Sequence, residues 1–295
     1  MCKMKIGILG NSSIARRCIV PAIKQIKDLE LVGIGSRNTD FGYDELLSSD
    51  ADIIYVSLPP ALHFEWGKKV LLSGKHLLME KTFTTNTAEA IELFSVAKQK
   101  NLKCMEALMY EFHPVQDKID NLLKEIGDVK YIDASFCFPH FKSKSNIRYS
   151  KELGGGSIYD SLIYPLSFVN RILGKNIENH TFAFFEKDVV ERGSICLKYK
   201  DSIANINFGF GQAYRNEITI SGHEKTIKAK RVFTRTHNCI DTVDIVHNGN
   251  VTKIEIQKSD HFENMIRFFI SSNTKDLCEK ELNTLSRLKF IDKII

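Results

Sequence analysis

The sequence predicts a two-part α/β plus α+β protein. A parallel sheet flanked by helices comes first, followed by a half built on an open, mainly antiparallel sheet. Three observations predict this. Short apolar runs alternate with amphipathic helical stretches through the first part of the chain. Further on, the strands lengthen and take the alternation of half-buried sheet. Short turns such as Lys200-Asp201 and Asn248-Gly249 then separate successive strands, as in hairpins. At 295 residues the chain exceeds one typical domain, and 43% hydrophobic with 26% charged content leaves apolar material for two cores.

In the first half, Ile6 to Leu9, Leu31 to Ile34, Ile53 to Leu58 and Leu77 to Met79 read as strands buried on both faces, and Lys103 to Ala107 as a candidate fifth. Ile14 to Ile26, Phe64 to Leu72 and Thr87 to Lys98 carry the helical period between them. The interval after the second strand is barely long enough for a crossover, which leaves a helix of about one turn around Tyr43 to Leu47. Beyond residue 108 the pattern changes. A helix from Pro114 to Leu123 precedes strands at Lys130 to Phe138, Ile177 to Phe185, Ser194 to Tyr199, Ile203 to Phe210, Glu217 to Ser221, Lys225 to Lys230 and Val251 to Ile256. Helices at Ser157 to Ile172, Phe262 to Ile270 and Cys278 to Ile291 complete the set. No repeat, low-complexity tract or flexible linker separates the halves, so a cleft where they meet is the expected place for a small-molecule site.

Composition excludes several classes. The net charge of +5 is small, and no block of five like charges marks a nucleic-acid tail. The seven cysteines (Cys2, Cys18, Cys104, Cys137, Cys196, Cys239 and Cys278) are odd in number, scattered and free of Cys-x-x-Cys pairs. That argues against a disulfide framework and a zinc site, and for a reducing compartment. The histidines show neither His-x-His nor His-Glu-x-x-His spacing, so no metal is expected. The apolar run after Met1-Cys2-Lys3-Met4-Lys5 is too short for a signal peptide or a membrane span, and the cytoplasm is the expected location.

The first strand runs into Gly10-Asn11-Ser12-Ser13-Ile14-Ala15. A Rossmann dinucleotide turn has Gly-x-Gly-x-x-Gly/Ala at this point. Gly10 fits the tight turn and Ala15 the close helix contact, while Ser12 replaces the glycine that admits the pyrophosphate and offers a hydroxyl in its place. The second strand ends in Gly35-Ser36-Arg37-Asn38, where an NAD enzyme carries a carboxylate for the ribose hydroxyls. Ser36 and Arg37 suit a ribose phosphate instead, so NADP(H) is preferred and NAD(H) is the alternative.

Three further segments stand out: Leu58-Pro59-Pro60-Ala61-Leu62-His63, Gly74-Lys75-His76-Leu77-Leu78-Met79-Glu80-Lys81-Thr82, and Gly154-Gly155-Gly156-Ser157-Ile158-Tyr159-Asp160-Ser161-Leu162-Ile163-Tyr164-Pro165. In this order and spacing they resemble the glucose-fructose oxidoreductase/inositol dehydrogenase/MocA-like family over nearly the whole chain. Gly33-Ile34-Gly35-Ser36-Arg37, Asn146-Ile147-Arg148-Tyr149, Phe208-Gly209-Phe210 with Ala213-Tyr214, and Arg231-Val232-Phe233-Thr234 look closest to the ketoreductases of nucleotide-linked deoxysugars. Thr82 stands where the family has proline, and Ser161-Leu162 depart from the family's glycine.

The resemblance implies a dinucleotide-binding Rossmann domain over residues 1–108 and a substrate-binding and oligomerisation domain over 109–295, assembled as a homodimer or homotetramer. It implies Lys81 and Tyr164 as the catalytic pair with Asp160 beside them. The chemistry agrees: hydride transfer to a ketone makes an alkoxide, which a tyrosine hydroxyl (pKa about 10 when free) can protonate if a lysine ammonium stabilises the phenolate. Asp160 and Tyr164, four apart, project from one helix face, so the carboxylate is placed to orient Lys81 or bind a substrate hydroxyl. Gly10, Ser12, Ser13, Ile14, Ala15, Ser36, Arg37, Leu58, His63, Glu80 and Lys81 are the expected cofactor contacts, with His63 equally readable as structural. Tyr110, Arg148, Tyr149 and Asp160 are the expected substrate contacts, and Arg148 reads either as a diphosphate partner or as a solvated cation.

The expected activity is therefore NADPH-dependent reduction of a keto group on a sugar, with a nucleotide-linked keto-deoxyhexose as substrate. A dehydrogenase of free polyols, aldoses or dihydrodiols and a non-catalytic dinucleotide-binding regulator are the alternatives.

Overall fold

The computed structural model describes residues 3–37, 41–143, 145–174, 178–186, 188–235 and 241–295; Cys2, Asn38, Ile177 and Cys239 lie outside them. The chain forms two compact units. One runs to Met109 and includes Glu152–Gly154 and His261–Ile295; the other is Tyr110–Lys151 with Gly155–Asp260.

In the first unit, strands β1 (Met4–Leu9), β2 (Leu29–Gly35), β3 (Ile53–Val56), β4 (His76–Glu80) and β5 (Cys104–Ala107) form one parallel sheet in the order β2-β1-β3-β4-β5. All four residues of β3 are buried, as two-sided cover requires. The crossovers are α1 (Val20–Gln25), α2 (Tyr43–Ser48), α3 (His63–Leu72) and α4 (Thr87–Gln99). The short α2 is the abbreviated crossover expected from the sequence. Asn86 caps α4 by accepting from the Glu89 amide at 3.0 Å. The first crossover enters as a π turn, Ala15–Ile19, before α1. Pro21 has no amide hydrogen to give to the turn before it, which favours the wider repeat there.

The closing helices, placed with the second half on sequence grounds, group with this unit. Helix α7 (His261–Ser271) packs against α1, and α8 (Cys278–Ile294) against α4 and β5. The physical reason is visible in both. Leu288 of α8 joins the core of Leu93, Phe94 and Cys104, and the Lys103 ammonium caps α7 by donating to the carbonyls of Phe269 (3.1 Å) and Ile270 (2.8 Å).

The second unit opens with α5 (Pro114–Leu123) and is built on eight strands: β6 (Tyr131–Phe138), β7 (Glu178–Glu186), β8 (Val189–Lys198), β9 (Ile203–Phe210), β10 (Arg215–Ser221), β11 (Thr226–Lys230), β12 (Asp241–His247) and β13 (Asn250–Ile256). Their order is β13-β12-β11-β10-β6-β9-β8-β7, antiparallel except for the parallel pair β6–β9. Ile132 and Ala134 of β6 and Ala204, Ile206 and Phe208 of β9 are fully buried, as are Leu166 and Val169 of α6 (Ile163–Leu173), which packs on these two strands. The intervening positions on the same strands, Tyr131, Asp133, Asn205 and Asn207, are only half-buried, so one sheet face carries the core. Strand β12 was not delimited from the sequence, and β8 begins five residues before the expected Ser194. Among the described residues no helix is long and apolar enough to cross a membrane.

Candidate active site

The parallel sheet brings Gly10, at the end of β1, beside Ser57, at the end of β3. Gly10 has φ +108°, and a Cβ there would lie 2.6 Å from the Ser57 carbonyl oxygen, so only glycine fits. Its amide donates to the Gly35 carbonyl at 2.9 Å, which draws the ends of β1 and β2 together. Ser12, the substituted position, directs its hydroxyl inward: Oγ accepts from the Ala15 amide at 3.0 Å and lies 2.5 Å from Ser57 Oγ. The hydroxyl thus closes the first turn of the helix whose start the sequence marks as the phosphate turn. Ala15 is fully buried, Ile14 half-buried and Ser13 exposed. Gly35-Ser36-Arg37 presents an exposed guanidinium and no carboxylate. These residues fit a dinucleotide with a phosphorylated ribose.

Lys81 follows β4 and is half-buried. The residues around it are held atom by atom. Glu80 takes a hydrogen bond from the Tyr55 hydroxyl on β3 and, through its other oxygen, one from the Lys81 amide at 3.2 Å. Burial raises the Glu80 carboxyl above its ordinary range, against the pull of Tyr55 and of the Lys81 charge. The peptide bond between Lys81 and Thr82 is cis. Beyond it, the Thr82 carbonyl lies 2.7 Å from His63 Nδ1, and the Phe83 amide donates to Glu106 Oε1 at 3.0 Å.

His63 is fully buried and spends its second nitrogen on the Leu58 carbonyl, 2.8 Å away. Burial lowers its pKa, although the two carbonyls favour the charged ring. Of its two sequence readings, bracing and cofactor contact, bracing is the one these bonds describe. Lys75 in the Gly-Lys-His segment is likewise a brace: its Nζ donates to the carbonyls of Ser49 (2.7 Å) and Ala51 (2.8 Å), joining the end of α2 to the approach of β3.

In the second unit the glycine run wraps a tight loop. A Cβ on Gly155 would meet the carbonyl oxygens of Ile147, Ser150 and Arg148 at 2.6 to 2.7 Å, and the Gly156 amide donates to the Arg148 carbonyl at 2.8 Å. Asp160 lies on a π turn, Ile158–Leu162, which leads into the α6 segment carrying Tyr164. The expected continuous α-helix from Ser157 therefore starts in the wider repeat. Pro165, like Pro21, withholds an amide from the preceding turn.

The loop delivers Arg148 to Asp160, with Nε donating to Oδ2 at 2.6 Å, while the guanidinium stacks 4.6 Å from the centre of the Phe141 ring. Arg148 is thus held by Asp160 and Phe141 while 35% of its side chain stays exposed. Tyr149 accepts from the Phe141 amide at 3.3 Å and lies 3.2 Å from His140 Nδ1, whose other nitrogen is 3.2 Å from the buried Glu191 carboxylate. Tyr164 is 4% exposed, its ring 5.1 Å from that of Phe136 and 5.9 Å from that of Tyr110. Tyr110 is 1% exposed and packs in this aromatic cluster with Phe233.

Sequence reasoning missed Tyr55, Ser57, Glu106 and Arg287. Two of them carried a signal: Tyr55 is a polar-tipped ring inside an aliphatic buried strand, and Glu106 is a carboxylate in the buried run Cys104–Ala107. Both require a partner.

Comparison with known proteins bears on the whole chain. Residues 4–108 match the family model "Oxidoreductase family, NAD-binding Rossmann fold", and residues 118–228 match the GFO/IDH/MocA C-terminal domain. A dTDP-3,4-didehydro-2,6-dideoxy-alpha-D-glucose 3-reductase of Actinomadura kijaniata is 31% identical, over 90% of this chain and 86% of its own. A trans-1,2-dihydrobenzene-1,2-diol dehydrogenase of Xenopus laevis is 32% identical over 85% of this chain and 79% of its own. Among solved structures, a 3-ketoreductase from Actinomadura kijaniata in complex with NADP and TDP-benzene superposes with a TM-score of 0.93 at 30% identity, covering 98% of this chain and 96% of that one.

Proposed function

The chain belongs to the GFO/IDH/MocA oxidoreductase family, and from that membership we propose that it is an NADPH-dependent reductase of a keto group on a nucleotide-linked deoxyhexose, acting at C3 of a dTDP-linked sugar. The observation that carries this reading is the run of four dTDP-sugar 3-reductases matched along 78 to 91% of this chain. The match to a D-xylose 1-dehydrogenase spans 58% of it. NADP in the superposed 3-ketoreductase supports the phosphorylated cofactor, as do Ser36 and Arg37 at the end of β2.

Bound NADPH supplies the hydride. Around it, Gly10, Ser12, Ser13, Ile14 and Ala15 offer the turn and helix start that receive the pyrophosphate, and Ser36 and Arg37 bind the ribose phosphate. Lys81 polarises the ketone oxygen through its ammonium, and Tyr164 gives the proton that the developing alkoxide takes up. Asp160, oriented by Arg148, is a fixed acceptor for a sugar hydroxyl rather than a partner that must be recruited from solvent. Residues 1–108 hold the dinucleotide, and the second unit holds the sugar.

The protein works as a homo-oligomer of two or four copies in the cytoplasm. Phe182 and Phe184, 68% and 60% exposed on the edge strand β7, support a contact with a second copy, and cysteines such as Cys104, Cys137, Cys196 and Cys278 outside any disulfide support a reducing compartment.

The reading is tested by turnover of dTDP-3,4-didehydro-2,6-dideoxy-glucose with NADPH or NADH, and of free D-xylose with NADP. We expect kcat/KM with NADPH to exceed that with NADH by about tenfold to a hundredfold, the worth of one charge-assisted contact of about 1.5–3 kcal/mol. Arg37→Ala should collapse that ratio. Equal use of the two cofactors, or free xylose turned over as well as the nucleotide sugar, contradicts the proposal.

A further inference from the structure

A carboxylate and a guanidinium lie wholly inside the first unit, away from the dinucleotide turn. Glu106, on β5, is 5% exposed, and Arg287, on α8, is 3% exposed. They are ion-paired, and Thr284, one turn earlier on α8, donates to the same carboxylate oxygen, Oε2, at 3.0 Å. A buried ion pair contributes little to stability when measured against well-packed apolar residues, so its presence asks for another explanation. The other carboxylate oxygen supplies one. Glu106 Oε1 accepts from the amide of Phe83, two residues beyond Lys81.

That amide and the Thr82 carbonyl belong to a single peptide unit, and the carbonyl is met by His63. Both polar ends of the Thr82–Phe83 peptide are therefore gripped by buried side chains from other elements. One residue earlier, the Lys81 amide is held by Glu80. Thr82, Phe83 and Thr84 are themselves fully buried. Around Lys81 the backbone therefore has the Lys81 amide, the Thr82 carbonyl and the Phe83 amide all held by side chains. The same helix α8 adds a further hold downstream, where Asp292 Oδ2 accepts from the Thr87 amide at 3.1 Å.

We propose that Glu106 and Arg287 are positioning residues for Lys81: the C-terminal helix orients the Glu106 carboxylate, which fixes the Thr82–Phe83 peptide and through it the direction of the Lys81 side chain. Arg287 and Thr284 together fill one carboxylate oxygen, so the other is presented to Phe83 in a single rotamer. A lysine that must place its ammonium at a reacting carbonyl gains from this, because small displacements of a catalytic group cost rate far more than they cost binding. The inference rests on the catalytic reading of Lys81 given above.

Two double variants of the full-length protein separate positioning from packing. Glu106→Met/Arg287→Met replaces the ion pair with apolar side chains and leaves Phe83 without its acceptor. Glu106→Gln/Arg287→Met also removes both charges but keeps an amide oxygen for Phe83. A purely structural pair predicts that the two behave alike. Positioning predicts that the Met/Met form loses about tenfold to a hundredfold in kcat with dTDP-3,4-didehydro-2,6-dideoxy-glucose. Its NADPH dissociation constant, read by cofactor fluorescence, should stay within about threefold of native, since the dinucleotide turn lies elsewhere. The Gln/Met form should recover most of kcat.

Should the Met/Met form not accumulate, Glu106→Asp keeps a carboxylate but draws it back by one methylene from both Phe83 and Arg287, and it should show the same split between kcat and cofactor binding. Equal kcat in the two double variants, or a native kcat for Glu106→Asp, overturns the inference. Lys81→Met is the control. If it is inactive while the Glu106 variants turn over normally, positioning alone is refuted. If Lys81→Met itself keeps native turnover, the catalytic reading fails and the inference falls with it.

Discussion

Lys81→Met lowers kcat by about a thousandfold and leaves the NADPH dissociation constant within a few-fold of native. The reduction builds negative charge on the ketone oxygen, and a fixed cation at that point is worth about two to three orders of magnitude in rate. Methionine keeps most of the length and apolar volume of the lysine stem, so the half-buried stretch after β4 stays filled. Three bonds of this backbone are made without the ammonium: the Lys81 amide still meets Glu80, and Thr82 and Phe83 still meet His63 and Glu106. The loss should therefore appear in kcat and kcat/KM together, the signature of an interaction made in the transition state. Steady-state rates alongside NADPH fluorescence titration check it, and native turnover in Lys81→Met would refute the assignment.

Tyr164→Phe should cost about a hundredfold or more in kcat, the usual worth of a positioned proton donor. Phenylalanine keeps the ring, and the ring is what packs against Phe136 and Tyr110 in a site only 4% exposed. The melting temperature should consequently change little while turnover collapses. The double variant Lys81→Met/Tyr164→Phe carries further information. If ammonium and phenol act as a unit, it is about as slow as the slower single variant, because removing either part already disables the other. Full multiplication of the two losses would mean that they act independently, and the paired mechanism would be wrong.

Much of this architecture was legible before any coordinates. The five parallel strands, the abbreviated α2 and helix α5 follow from runs and periods that are local in sequence. The family motifs marked Lys81, Asp160 and Tyr164 because each lies in a short segment of fixed spacing. Partnerships across long separations were not legible. Arg287 lies 181 residues from Glu106, and His63 lies 19 from Thr82. No periodicity connects such pairs, since only the folded sheet and its cover bring them together.

The same limit explains the closing helices. Their apolar residues show that they pack on something, but not on which half, and they group with the first unit. Local conformation failed in a different way at the two π turns. A proline a few residues inside a helix was visible in each case, at Pro21 and Pro165, yet its consequence was read as ordinary helix. At Ser12 the sequence marked a hydroxyl on the phosphate turn, but not that the same oxygen accepts from the Ala15 amide and meets Ser57.

The claim on which the rest depends is that hydride passes from NADPH to the C3 carbonyl of a nucleotide-linked sugar. It is tested most directly by supplying dTDP-3,4-didehydro-2,6-dideoxy-glucose with NADPH deuterated on the transferable face of the nicotinamide and locating the label by NMR. The account predicts one deuterium per turnover, bonded to C3 of the sugar and absent from the oxidised cofactor. Label at C4, or label that stays in the cofactor while the dTDP-sugar remains unreduced, would contradict it.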